Sequence, residues 1–537
     1  MAPFNTGNRS EDQVTQLVKE DKTHWYKKRN LRYLYMMLFC CCMGVEMTSG
    51  FDSQLMNTNQ YSQQFNKYFG KGHKSKGKYA IEAGLLGFMT SCYQLGTICA
   101  VPIGPWVNQT FGRRWSIMIG SLIMVVGAIL QGFSQHVAMY IIARMMLGFG
   151  ICFCIMAGSA MTAELGYPKE RAVLTCLFNQ AYYIGAITAA AISLRTVDLS
   201  DNWAWRIPSL LQICPSLLQI CTVFLIPESP RWLVSRDREE EAYNILVKYH
   251  AEGDAANPIV HAEMAQIRST VKLEMENAKM SWMDMVRTAG MRRRVFIIAL
   301  QGAFTQLSGS NLFSYYSSLL YEMMGYNNNY AKTRINIAYL CWHAIVALPI
   351  AIYAVRFPRR WAFMTATTGM LICFISITIC FERLKAADSQ GQHNQAASIA
   401  SLFFYFAYTL PSNIGNQALQ YTYVVELFPY ATRSRGVGVH QFFGKAAGFL
   451  SSNVNPIGMT AIGWKYFAVY CGWITFELIC QFCFYPETYN RTLEELTFLF
   501  EPEEYRAQQH AAVEKELQAE GGGGEHVEEH ASRKEVV

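Results

Sequence analysis

The sequence predicts an all-α membrane protein whose twelve crossing helices form two six-helix halves. Composition, the length of the apolar blocks and a repeated set of polar motifs carry that reading. Of 537 residues, 51% are hydrophobic and only 16% charged, against about 25% charge in a typical soluble domain. The apolar residues come in blocks of about 20, enough helix to cross a hydrocarbon core of about 30 Å. The polar motifs recur in the same order in each half of the chain.

In order, the blocks place α1 at 32–56, α2 at 81–106, α3 at 115–135, α4 at 137–159, α5 at 172–194 and α6 at 207–226. A polar stretch, 227–294, precedes α7 at 295–323, α8 at 333–354, α9 at 361–381, α10 at 397–424, α11 at 436–459 and α12 at 464–485. Within that stretch Val260, Met264, Ile267 and Val271 recur at helical spacing. They predict short amphipathic helices along the membrane face. The leading segment 1–31 is polar, with no cleavable signal peptide before α1. The tail 486–537 is charged, contains the run Gly521–Gly524 and has no apolar period, so disorder is expected.

Duplication is legible in three motif pairs. Gly112-Arg113-Arg114 follows α2, and Pro358-Arg359-Arg360 follows α8. Glu164 and Arg171 after α4 are echoed by Glu426 and Arg433 after α10. Pro227-Glu228-Ser229 closes α6 as Pro486-Glu487-Thr488 closes α12. Motifs on equivalent helices in the same order indicate two halves related in the same orientation. Lys19, Lys22, Lys27, Lys28, Arg29 and Arg32, with basic loops after α2, α4, α8 and α10, place both termini in the cytoplasm. The loop after α1, with Lys67, Lys71, Lys74, Lys76 and Lys78, runs against that assignment. The sequons at Asn8, Asn108 and Asn490 would then face the cytoplasm and stay unglycosylated.

Several classes are excluded. Most of the 16 cysteines lie in apolar blocks, as Cys40, Cys41, Cys42, Cys152 and Cys154 do. There they act as small hydrophobes, without zinc-type spacing. The net charge of +6 comes without a basic cluster interleaved with stacking aromatics, which argues against nucleic acid. No phosphate-binding loop is present, and His510, His526 and His530 lack companion ligands, so neither an enzyme, a metal nor a cofactor is expected.

The buried charges carry the chemistry. Asp52, in Gly50-Phe51-Asp52, lies inside an apolar helix, where a charge costs at least about 2.5 kcal/mol. Arg144 on α4 is the natural partner. A carboxylate beside a guanidinium keeps its charge; drawn away from it by substrate, it takes up a proton. A static pair that only fixes two helices is the alternative. Glu46 lies about 240° around α1 from Asp52, either near an interface or as a further cavity acid. A neutral, hydroxyl-rich ligand calls for amides, which both donate and accept, and for aromatic faces. Candidates are Asn179 and Gln180 on α5; Gln306, Ser308, Asn311, Tyr315 and Tyr316 on α7; and Gln420, Tyr421 and Tyr423 on α10. One amide alone is more often interhelical glue, but a cluster from three helices reads as a site. The absence of clustered cations there argues against an anionic substrate; Lys445 in α11 stands outside that pattern.

Along residues 45–495 these features resemble the sugar porters of the major facilitator superfamily. The carrying motifs are GFD at 50–52, GRR at 112–114, Arg144 with Gly148 and Gly150, Glu164 to Arg171, FNQAYYIGAI at 178–187 and WRIP at 205–208. PESPRW at 227–232, QLSGSNLFSYY at 306–316, Glu426 to Arg433 and PETYNRTLEEL at 486–496 complete the set. KYHAEGDAANPIV at 248–260, SYY at 314–316 and NPIG at 455–458 are similar to the fungal lactose-permease and cellodextrin-transporter branch. The resemblance implies the major facilitator fold, with Asp52 and Arg144 as the proton-coupling pair and the proton as coupling ion. It implies sugar contacts at Gln180, Gln306, Asn311 and Tyr421. It also implies a cytoplasmic latch from Glu164, Arg171, Glu228, Arg231, Glu426, Arg433 and Glu487 with the pairs Arg113–Arg114 and Arg359–Arg360.

The chain departs from the family at Gln109 and Val355, where an Asp is expected, and at Pro358, where a Gly is. Charge-assisted contacts of the kind lost contribute about 1.5–3 kcal/mol, so a weakened latch and an inward-shifted equilibrium are expected. Leu307 replaces a second Gln of many hexose carriers. The expected function is proton-coupled import of a di- or oligosaccharide by a monomer at the plasma membrane. The alternatives are a sugar sensor with little transport, a hexose or polyol facilitator, and an exporter of a glycosylated metabolite.

Overall fold

The computed structural model describes residues 17, 23–489 and 500, apart from 76–77, 279–281, 354–356, 391–393 and 429–431. Val355, the sequons at Asn8 and Asn490, the tail histidines and nearly all of the tail lie outside the described residues. Among the described residues, eight helical stretches are long and apolar enough to cross a membrane, or nine with the bent α2. One of them, Arg435–Phe484, contains both α11 and α12. Two further crossings, α7 and α10, consist of short consecutive pieces, which completes twelve.

In the N-terminal half, α1 is Arg29–Asn59 and α2 is Ala83–Ala100. The chain then bends by 51° into Gly104–Phe111, because Pro102 cannot continue the amide ladder. This cuts short the longer α2 expected from the sequence. Then follow α3 (Arg113–Gly132), α4 (Val137–Leu165), α5 (Arg171–Thr196) and α6 (Trp203–Leu225). A short antiparallel hairpin, Lys74–Ser75 against Lys78–Tyr79, lies between α1 and α2.

In the C-terminal half, α7 runs as Ala289–Leu307, Ser310–Tyr315 and Ser317–Met323. It breaks at Gly309, whose φ of +101° suits only glycine without strain. Next come α8 (Asn329–Tyr353) and α9 (Arg359–Ser389). The tenth crossing, α10, is Gln395–Ala407, Thr409–Ser412, a π-helical turn at Asn413–Ala418 and Gln420–Leu427. The chain ends in α11 (Arg433–Ile462) and α12 (Tyr466–Phe484). Broken backbone at membrane depth is tolerated only against protein or a cavity, so α7 and α10 mark the face that is not turned to lipid.

An even number of crossings returns the chain to the face from which it started, here termed the termini face. At the opposite face a single aromatic core joins the halves: Tyr61, Phe65, Tyr140 and Trp205 pack with Tyr316, Tyr321, Phe374 and Tyr405. Hydrogen bonds cross there too. Gln60 Nε2 donates to the Tyr315 carbonyl at 2.8 Å, Tyr61 and Ser317 hydroxyls meet at 2.5 Å, and Ser317 donates to Asn57 Oδ1 at 2.8 Å.

Three helices at the termini face, Pro230–Val234, Glu239–His250 and Pro258–Ala278, link the halves. Val260, Met264, Ile267 and Val271 are buried against Leu233, Val234 and Leu246. The segment is fastened to the N-terminal half. Glu252 accepts the N–H groups of Asn30 and Leu31 at the start of α1 (2.9 and 3.1 Å). Trp232 and Arg236 donate to the Gln109 carbonyl (2.8 and 3.0 Å). His250 bonds Glu263 at 2.7 Å and meets the Leu165 carbonyl at 3.3 Å.

Candidate functional site: a polar path between the halves

The site begins with a close helix contact. A Cβ on Gly50 would lie 1.9 Å from the Tyr182 carbonyl oxygen, and one on Gly185 1.8 Å from that of Met47. Only glycine permits α1 and α5 to touch backbone to backbone, as small residues do between membrane helices. The contact sets Asp52 two residues beyond it, buried at 1% exposure. Arg144, equally buried, donates from Nη1 to the Asp52 backbone carbonyl at 3.3 Å, and its guanidinium lies 5.1 Å from the Tyr93 ring centre. The two expected partners are therefore neighbours, but the carboxylate itself is not the acceptor. Both Asp52 carboxylate oxygens, Arg144 Nε and the Tyr93 hydroxyl are buried without a hydrogen-bond partner.

Beside this pair, amides from both halves converge on the bare backbone of α11. A Cβ on Gly448 would lie 3.4 Å from Gln306 Oε1, 3.6 Å from Gln94 Cδ and 3.7 Å from Asn311 Nδ2. Gln94 Oε1, Asn311 Nδ2 and Gln180 Oε1 are buried without protein partners. Unsatisfied polar atoms are costly singly, and their concentration on facing helices is what a hydroxyl-rich ligand would relieve. A small neighbouring cavity of about 90 Å³ is lined by Ser53, Gln54 and Tyr183 from one half and Asn336, His343 and Gln417 from the other. Tyr183 spans it, donating to Gln417 Oε1 at 3.2 Å.

The remaining candidates are distributed unevenly. Asn179 is exposed, four residues before Tyr183 and so on the same helix face. Gln420 is partly buried, and the Tyr421 hydroxyl accepts from Gln441 Nε2 of α11. Tyr315 is largely buried at the far end of the path. Three candidates fall outside it. Tyr316 is fully buried and donates to the Ser452 carbonyl at 2.5 Å. Tyr423 donates to the Pro486 carbonyl at 3.2 Å and stacks on Tyr485, in the core near the termini face. Ser308 is used by Glu477 of α12 at 2.7 Å. Their polar groups are already bonded to other helices or, for Tyr423, to the chain after α12.

The sequence reading passed over Tyr93, Gln94, Ser53, Gln54, Asn336, His343 and Gln417. For α8 a signal existed: Asn336 and His343 are two turns apart on one face of an otherwise apolar block.

The motif pairs form two matching clasps. Arg113 holds Glu164 through Nε and Nη2, both at 3.1 Å, while Glu228 accepts the N–H groups of Arg113 and Arg114 at 3.1 and 3.2 Å. Arg359 holds Glu426 at 3.1 and 2.8 Å, while Glu487 accepts the N–H groups of Arg359 and Arg360 at 2.8 and 3.1 Å. Each carboxylate sits on the positive N-terminus of α3 or α9. Arg114 and Arg360 complete the match, bonding the Phe224 and Phe482 carbonyls at 2.8 and 2.5 Å. Burial pushes the Glu228 carboxyl above its usual range against the pull of those N–H groups. These clasps close within each half, whereas the resemblance implied a latch that holds one conformational state. Arg171 departs from the pattern: it pairs with Glu263 of the linking segment at 3.0 Å, near Arg231. Arg433 opens α11.

Comparison with known proteins agrees with this architecture. The profile of a family described as "Sugar (and other) transporter" matches residues 37–500. The chain is 27% identical over 419 residues to the MFS-type transporter oryC of Aspergillus oryzae, covering 76% of each. It is 26% identical over 505 residues to the high-affinity glucose transporter of Kluyveromyces lactis, covering 89% of this chain and 87% of that one. Among solved structures, the inward-open xylose transporter XylE from E. coli superposes with a TM-score of 0.70 at 20% identity, covering 87% of this chain and 100% of XylE.

Proposed function

The chain belongs to the sugar (and other) transporter family, and on that premise we propose that it is a proton-coupled importer of a saccharide, working by alternating access between its halves. The observation that carries the reading is the Asp52 carboxylate, buried with both oxygens unpartnered beside Arg144 and adjoining amides from both halves. A proton can settle on such a group only when the approach to it is open, and substrate bound among Gln94, Gln180, Gln306 and Asn311 would shift the helices that carry the pair. The polar stripe on α11 from Gln441 to Gly448 rises roughly 10 Å, longer than one pyranose ring, which supports a di- or oligosaccharide. The basic segments support cytoplasmic termini, and import of an external saccharide would place the carrier at the plasma membrane.

Reconstituted vesicles given labelled cellobiose, lactose or glucose, with and without an inward proton gradient, test the proposal. At least one sugar should accumulate only with the gradient. Asp52→Asn should abolish accumulation while leaving sugar exchange across the membrane. Flux indifferent to the gradient, and unchanged by that substitution, would sink proton coupling. Saturable binding with no flux would point to a sensor.

A further inference from the structure

The polar path contains one charge pair that neutral-sugar recognition does not use. Lys445 lies near the middle of α11, three residues before Gly448, where the amides converge, and four after Gln441, which bonds Tyr421. Spacings of three and four put all three on one helix face. Its acidic neighbour is Glu46 of α1, on the other half of the molecule. Among the described residues the two make no ion pair within 4.0 Å. Glu46 is also close enough to sense the hydroxyls of Tyr182 and Tyr421, and Lys445 the thiol of Cys152 on α4. The two charges, one on each half, thus lie within electrostatic reach of each other without touching.

We infer that Lys445 anchors a carboxylate on the cargo, so that the saccharide carried is an acid such as a uronic acid or a uronate-containing disaccharide, with Glu46 as the resident counter-charge it displaces. This rests on the transport reading above and narrows it.

The physical case is one of cost and position. A lysine at membrane depth costs about 2.5–3.5 kcal/mol on insertion scales. A pair serving only to fasten two helices would be expected in direct contact, where the attraction offsets that cost. Here the charges are held apart, and the cation stands on the same stripe as the sugar-facing amides. An ammonium is a compact charge with three donors, and its bond to a carboxylate is roughly twice as strong as one to a neutral hydroxyl. A cargo carboxylate would bond Lys445 while its hydroxyls reach Gln306, Asn311 and Gln94.

The test uses the full chain in vesicles and reads a ratio: inhibition of sugar exchange by D-glucuronate against D-glucose, and by D-galacturonate against D-galactose. For the unaltered protein each uronate should outcompete its parent by about tenfold. Lys445→Gln should bring the ratio to about one or below, and Lys445→Arg should keep it above one. Glu46→Gln, which removes the competing charge, should raise it further. Because each variant is judged by its own ratio, a general loss of flux cancels. A ratio at or below one in the unaltered protein overturns the inference while leaving sugar transport standing. A ratio insensitive to Lys445→Gln overturns it too. If neither sugars nor uronates are bound or exchanged, the transport reading itself fails.

Discussion

At the scale of single residues, chemistry on this chain is set by which polar atoms are left over. Tyr316, Tyr423 and Ser308 were sound candidates by residue type, yet each is taken by a distant helix or the chain after α12. Such pairings join positions far apart in sequence and leave no local mark. Asp52, Arg144 and Asn311 were legible because an ionisable or amide group in an apolar block is conspicuous wherever it points. Glu263 is the clearest titrating case outside the membrane. Burial alone would raise its carboxyl, but His250 and then Arg171 outweigh it, and it is held below its usual range. A depressed acid contributes stability that is present above its unfolded value, about 4.3, and is lost as pH falls through the depressed one. Protection of Pro258–Ala278 against hydrogen exchange should therefore fall on acidification below about pH 4. Glu263→Gln should lower it at neutral pH, by about 1.5–3 kcal/mol for a charge-assisted bond. Unchanged protection in that variant would rule the interaction out as a fastener.

Among elements, the long regular helices were read nearly in full, whereas the interrupted ones were read as continuous. Block length shows that a segment crosses the membrane, but the π-helical turn in α10 and the breaks in α7 depend on what packs beside them. Pro102 and Gly309 were local signals for the bend after α2 and one break in α7, and the continuous reading of both helices passed over them. The backbone contact between α1 and α5 is the element on which the position of Asp52 depends. Gly185→Ala forces a methyl to within 1.8 Å of the Met47 carbonyl, and overpacking of this kind costs about 1–3 kcal/mol. The variant should melt at a lower temperature and lose gradient-driven accumulation. Ala190→Gly, deeper in the same helix, should lower stability without selectively removing coupling. Equal coupling in Gly185→Ala and the unaltered protein would show that the contact does not position the acid.

For the molecule as a whole, the two-half plan was legible because duplication writes the same motif twice, and the clasps repeat almost bond for bond. What the sequence could not settle was the partner of each clasp: pairing within a half looks the same in one dimension as pairing between halves. The missing acid at Gln109 bears on the balance between states. We propose that Gln109→Asp places a charge on the exposed side of the Gly104–Phe111 helix and shifts the equilibrium toward closure at the termini face by about 1.5–3 kcal/mol. Reporter cysteines on the linings of the two ends would then label faster at the far end and slower at the termini face. Identical labelling rates in both proteins would exclude that role.

The linking segment offers an experimental handle on this motion. Through Glu252, Trp232, Arg236 and Glu263 it is bolted at several separate points to α1, the Gly104–Phe111 helix and α5, so in the alternating access proposed above it would move with the N-terminal half. It would then act as a pointer: a tilt between the halves would move it relative to the C-terminal half. A fluorophore on exposed Glu240, paired with one on the end of α9, would read the tilt angle directly, without a label anywhere near the path of the cargo.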